Sequence, residues 1–169
     1  MNQGIRWPFL FGFLCCAGLL SYAYYIDWAD PLIEPCPLCI IQRIVFFAMG
    51  LVFLIGGLHG ARGTVAKAYG LGVAALSLSG AAIAGWHVRL QNLPADQVPV
   101  DCLPGFGYMA DTKGFLDALG EWLPKAFEGT GDCAVVDWTF LGLSMPTWTL
   151  VWYLGLAVSA LFFGFRARH

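Results

Sequence analysis

Charge is scarce in this chain: Asp, Glu, Lys and Arg make up 12% of its 169 residues, against 59% hydrophobic residues. With a mean hydropathy of +0.68, that scarcity excludes an ordinary soluble domain. Also missing are a nucleotide-binding fingerprint, iron–sulfur ligand spacing and a haem-ligating pair, which leaves no protein-borne electron sink of a familiar kind. No internal repeat, low-complexity tract or soluble domain interrupts the pattern, and nucleic acid is not an expected partner.

What the chain has instead is four long apolar stretches, Trp7–Ile26, Ile40–Leu58, Ala68–Trp86 and Met145–Phe165, of which only the second carries a charge, Arg43. At about 1.5 Å of rise per residue each matches a hydrocarbon core of about 30 Å. These segments are too long and too continuously apolar for barrel strands, so the expected fold is all-α: a single integral membrane domain over 1–169, built as a four-helix bundle. Two loops, about 27–39 and 87–144, join the spans on one side. The first span is expected to stay uncleaved, because Tyr22, Tyr24 and Tyr25 stand where a small-residue cleavage site belongs. The third, rich in Gly, Ala and Ser, invites close approach and is expected to be central.

Charge orients the bundle. Arg6, Arg62, Lys67, Arg166 and Arg168 fall on one side, whereas all the acids lie in the two loops. The positive-inside rule then places both termini in the cytoplasm and both loops outside. Within the longer loop, Phe115, Leu116, Leu119, Trp122, Leu123 and Phe127 recur at helical spacing, which predicts a short helix in the membrane interface rather than the core of a separate small domain.

Four of the six cysteines fall in these outer loops. Cys36-Pro37-Leu38-Cys39 closes a small, reducible ring when oxidised. If Cys39 occupies the first turn of the second span, the helix dipole and Arg43 one turn on favour its thiolate. Cys-Pro-x-Cys also opens many zinc and iron sites. Those normally need a second close pair or nearby histidines, and Cys102 and Cys133 stand 31 residues apart with no histidine between them, so redox chemistry is the favoured reading. Taken alone, Cys102 and Cys133 would be an ordinary stabilising disulfide. Their Pro- and Gly-rich flanks, including Pro104, Gly105, Gly129 and Gly131, suggest mobile, exposed segments suited to exchange with a partner. Cys15 and Cys16, adjacent in mid-span, read as small apolar fillers. Arg43 either snorkels to the interface or serves the site, and His87 and Gln91 either end the third span or turn inward to hydrogen-bond a carbonyl-bearing ligand.

The run Pro35-Cys36-Pro37-Leu38-Cys39-Ile40-Ile41-Gln42-Arg43, with Gly131-Asp132-Cys133-Ala134 and Trp138-Thr139-Phe140-Leu141-Gly142-Leu143-Ser144-Met145-Pro146-Thr147-Trp148, resembles the DsbB family of bacterial disulfide bond formation proteins. The resemblance covers nearly the whole chain. It implies an inner-membrane thiol:quinone oxidoreductase in which Cys102 and Cys133 oxidise a periplasmic DsbA-like thiol oxidase, with Cys102 forming the mixed disulfide. Electrons then pass from Cys133 to Cys36, and Cys39 faces a bound quinone, either ubiquinone or menaquinone. It also implies that Arg43 stabilises the Cys39 thiolate and that His87 and Gln91 lie near the quinone. A DsbA-type partner has a potential of about −120 mV, far more oxidising than stable structural disulfides, so keeping it oxidised needs a continuous electron sink.

Overall fold

The computed structural model describes residues 6–29, 35–94, 96–98, 106–136 and 138–166. Its elements in chain order are α1 (Arg6–Ala29), α2 (Pro37–His59), α3 (Gly63–Gln91), α4 (Phe106–Lys113), α5 (Phe115–Glu128), α6 (Gly131–Ala134), a two-stranded hairpin of β1 (Thr139–Phe140) and β2 (Leu143–Ser144), and α7 (Met145–Arg166). Helices α1, α2, α3 and α7 are each long and apolar enough to span a bilayer. The chain is thus an all-α, multi-pass membrane protein. Each spanning helix outruns the hydropathy segment that predicts it, most of all α3, because polar residues such as His87 and Gln91 continue the helix past the apolar run.

The four spans pair in the order α1–α2–α3–α7, and α1 and α7 touch little. Small residues set the closest seam. Along α3, Ala66, Gly70, Val73, Ser77, Gly80 and Ala84 are buried at alternating spacings of four and three, the register of helices packed at a shallow angle. A Cβ added to Gly70 would lie 2.8 Å from the Ala160 carbonyl oxygen, and one added to Gly164 would lie 3.1 Å from the Gly70 Cα. The two backbones therefore meet directly, the contact that small residues permit in a membrane. Centrality, however, is shared: α2 also has two neighbours, and Gly72, Ala75, Ser79 and Ala82 of α3 face outward.

Tyr153 fastens this seam to α2. Its fully buried ring stacks on Phe46 at a centroid distance of 4.2 Å, its hydroxyl donates to the Gln42 carbonyl at 2.7 Å, and its own carbonyl accepts from Ser77 Oγ at 2.5 Å. On the other flank, Phe9 and Phe53 meet edge to face at 5.1 Å, and Cys16 packs beside Gly50. Cys16 is thus a core filler, while Cys15 is half-buried.

Arg6, Arg62, Lys67 and Arg166 all lie at the end of the bundle where α1 begins and α7 stops. At the other end α4 and α5 pack together and onto α2, through Met109, Ala118, Trp122, Ala126 and Ile41. The expected helix in the long loop is present as α5, but its apolar face is divided. Trp122 turns inward with the two alanines, whereas Phe115, Leu116, Leu119, Leu123 and Phe127 stay exposed. An alanine stripe fits closely against neighbouring helices, so the bulky residues are left facing away from the protein.

Candidate active site

Cys36 is the N-cap of α2. Pro37, with its fixed φ and no N–H to satisfy, takes the first helical position, so Cys39 becomes the third residue of the helix. Its backbone N–H points back at Cys36 Sγ, 3.4 Å away, and the two sulfurs are 3.0 Å apart.

Cys133 reaches the same spot from the long loop. Gly129, at φ +87°, turns the chain so closely over Leu90 that a side chain there would collide with it. The single turn of α6 then drops Cys133 between Cys36, Leu38 and Leu90, fully buried. The exposure expected from its glycine-rich flanks is therefore wrong for Cys133: the glycines serve close packing, not mobility. Cys102, the other loop cysteine, lies outside the described residues.

Three sulfurs thus stand in a row, Cys39–Cys36–Cys133, with Cys36 in the middle. The Cys36 thiol is pushed well up by hydrogen bonding to Cys133, then to Cys39, with burial adding to the effect. Accepting that hydrogen bond holds Cys133 down to about 6, helped by the Thr130 and Leu38 backbone and opposed by burial. A sulfur whose thiolate is favoured, held against a second sulfur, is suited to exchange once that second sulfur is part of a disulfide.

His87, buried on α3, presents Nε2 to Cys36 Sγ at 3.7 Å. Its other ring nitrogen meets the Gln42 amide nitrogen at 3.1 Å, and the Gln42 oxygen accepts from Thr149 at 2.6 Å. This chain crosses α3, α2 and α7 and assigns the Nε2–H tautomer, with the Gln42 amide as donor to Nδ1.

Beside the sulfurs lies a cavity of about 490 Å³ between α1, α2 and α7. Its walls are chiefly apolar and aromatic, including Phe46, Trp138, Phe140, Trp148 and Trp152, with the polar side chains of Cys39, Gln42, Arg43 and Thr149 among them. Cys39 lines it; Cys36 and Cys133 do not. His87 and Gln91 are also outside it. They line a narrower cleft with Cys36, and Gln91 donates to the Val135 carbonyl at 3.5 Å. Arg43 lines both spaces, makes a two-pronged ion pair with Asp27 and stacks over Tyr24 with 5.1 Å to the ring centroid.

The hairpin roofs part of the cavity. Leu141 and Gly142, at φ +53° and +78°, form a two-residue turn with positive φ at both positions, the turn whose twist suits a tight antiparallel pair. It holds Phe140 between Trp138 and Trp148, whose indole N–H donates to the Phe140 carbonyl at 3.0 Å.

The family model described as Disulfide bond formation protein DsbB matches residues 5–163 of the chain. The protein belongs to the DsbB family. Curated relatives named Disulfide bond formation protein B agree over almost the full length. One from Xanthomonas campestris pv. campestris (strain 8004) is 47% identical over 98% of this chain and 93% of its own. One from Methylococcus capsulatus is 50% identical over 92% of each, and one from Nitrosococcus oceani is 45% identical over 95% and 92%. Membership of the DsbB family makes disulfide bond formation the protein's business.

Asp27, Thr149 and Tyr153 had no place in the sequence reading, and Gln42 had no role there. A lone acid at the end of the first span and a glutamine inside an apolar run were the available signals, because neither residue is placed in a membrane helix without a partner.

Proposed function

We propose that the protein reoxidises a periplasmic DsbA-type thiol oxidase and passes the electrons to a membrane quinone. The observation that carries this reading is the place of Cys36. It touches Cys39, which lines the aromatic-walled cavity, and neighbours Cys133, which arrives from the long loop.

In this reading the partner's thiolate attacks Cys102 of the Cys102–Cys133 disulfide, forming a mixed disulfide and releasing Cys133 as thiolate. The partner's second thiolate resolves that bond and leaves oxidised. Cys133 attacks Cys36 of the Cys36–Cys39 disulfide, so one S–S bond forms, one breaks, and Cys39 leaves as thiolate. Attack by Cys102 on Cys133 then restores the loop disulfide and frees Cys36. Each exchange forms one S–S bond and breaks another; re-forming the Cys36–Cys39 bond would release two electrons and two protons, which a quinone in the cavity would accept.

The cavity suits a quinone head group. Its volume is in the range of small-molecule sites, its aromatic walls fit a flat ring, and Arg43 and the second N–H of the Gln42 amide offer donors for ring oxygens. A quinone bound there would supply a two-electron, two-proton acceptor. Arg43, one turn beyond Cys39, places a positive charge on the helix face that carries the thiolate, while Asp27 holds the guanidinium in position. The cytoplasmic placing of the basic end, inner-membrane residence and the resting of the exposed α5 face on the bilayer belong to the same proposal, supported by the basic end of the bundle and the uncovered Phe115, Leu116 and Phe127.

The test follows quinone absorbance with a reduced DsbA-type partner while free thiols are counted. Partner-dependent quinone loss should vanish in Cys36→Ser, Cys39→Ser, Cys102→Ser and Cys133→Ser and persist in Cys15→Ser and Cys16→Ser. Full turnover in any of the first four would refute the relay.

A further inference from the structure

We propose that the reduced protein holds a conditional binding site for a thiophilic divalent cation, zinc being the probe, formed by Cys36 Sγ, Cys133 Sγ and His87 Nε2, and that occupancy arrests sulfur exchange. The three donor atoms lie within 4.8 Å of one another. A tetrahedral zinc ion with Zn–S of about 2.3 Å and Zn–N of about 2.0 Å needs donors roughly 3.5–3.8 Å apart. Cys36 Sγ and His87 Nε2 are 3.7 Å apart already. The ligands come from the α2 cap, α3 and α6, three segments that the fold brings together without the ion. Two thiolates and an imidazole favour zinc over magnesium or calcium. The fourth position falls to water or to Cys39, whose sulfur is 3.0 Å from that of Cys36.

A metal-bound histidine needs an acceptor for its other N–H. As the network stands, Gln42 donates to Nδ1, which a half-turn of its amide reverses: the oxygen then accepts from Nδ1–H and the NH₂ donates to Thr149. Thr149 can follow, because its hydroxyl already has a second acceptor in the Pro146 carbonyl at 2.9 Å. Every polar atom stays satisfied in both states. An entry route exists as well. A cleft of about 50 Å³ reaches Cys36, Cys39 and His87 and is lined by Asp27 and Asp132, of which Asp132 is exposed; Arg43, on the same wall, is neutralised by Asp27.

The site exists only when Cys36 and Cys133 are both thiols. A Cys36–Cys39 or Cys36–Cys133 disulfide removes ligands, so the ion competes with the exchange steps. That consequence rests on the relay described above; the binding itself does not.

Full-length protein in detergent, reduced and stripped of metal, should take up one zinc per chain in competition with a chromophoric chelator, and cobalt should give a visible sulfur-to-metal charge-transfer band. The oxidised protein should take up none. His87→Ala and Cys133→Ser should each weaken binding by at least about tenfold, and Gln42→Leu by about 10- to 100-fold as an outer-sphere change, while Cys102→Ser binds as the unaltered chain does. In the unaltered protein, one equivalent of zinc should protect Cys36 and Cys133 from alkylation and leave Cys102 reactive, a readout that needs no variant to fold. No uptake by the reduced protein, or uptake undiminished in both His87→Ala and Cys133→Ser, overturns the site. Quinone turnover measured in chelator reports on the relay alone, so either idea can fail without the other.

Discussion

The two seams that α7 makes with its neighbours differ in kind. Against α3 it is sealed: Gly70, Ala160 and Gly164 let backbones touch, and Gly80 leaves room for the Tyr153 ring and nothing larger. Toward α1 it stands off, and the space between is furnished with Trp148, Trp152, Tyr22 and Phe46 around about 490 Å³ of cavity. In lipid, apolar side chains gain little by meeting one another instead of acyl chains, so fit rather than hydrophobicity decides which helices close up. The difference teaches that one helix can serve as both fixed wall and open door, according to the bulk of the residues on each face.

The most damaging way to break that contrast is to wedge the sealed seam. Gly80→Leu drives a side chain into the buried Tyr153 ring, and the cost should exceed the usual 1–3 kcal/mol of overpacking. Little folded protein should survive detergent extraction in fluorescence-detected size exclusion, and a normal monodisperse yield would show that the seam can yield. Filling the open side should do the opposite. Ala23→Trp, on the cavity wall, should lower quinone turnover by about tenfold, an effect of about 1.4 kcal/mol, with thermal stability nearly unchanged. Equal losses of stability and turnover would mean that the gap is structural.

Arg43→Ala should weaken quinone use while the Cys36–Cys133 disulfide still forms on mixing with reduced partner. Asp27→Asn should do the same more mildly, since it frees the guanidinium without removing it. Unchanged quinone dependence in Arg43→Ala would return Arg43 to an anchoring role. The smallest effect is expected at the hairpin. Leu141→Gly relieves a left-handed conformation at a non-glycine residue, and the midpoint of thermal unfolding should move by no more than about 1 kcal/mol equivalent, in the stabilising direction. A clear loss would show that the exposed Leu141 side chain makes contacts beyond the protein.

Spans and sulfurs were legible in the sequence because each is written in local terms: about twenty apolar residues make a membrane helix, and a proline after Cys36 starts one. Helix rotation was not legible. Lipid-facing and core-facing positions are equally apolar, so nothing in α2 alone says that Gln42 turns toward His87 while Ile44 and Phe47 face out. The Asp27–Arg43 pair depends on how α1 and α2 align, which hydropathy leaves open. Cys133 was misjudged for a related reason: glycine permits both slack and close approach, and only Leu90, contributed by a distant helix, decides between them.

The lateral position of the aromatic-walled cavity carries a last consequence. On the proposed reading, a quinone site between α1 and α7 takes its ligand from a sheet rather than from a volume. Its occupancy is then governed by moles per lipid: diluting a suspension of proteoliposomes leaves the enzyme as saturated as before, whereas adding bare lipid to the same membranes starves it.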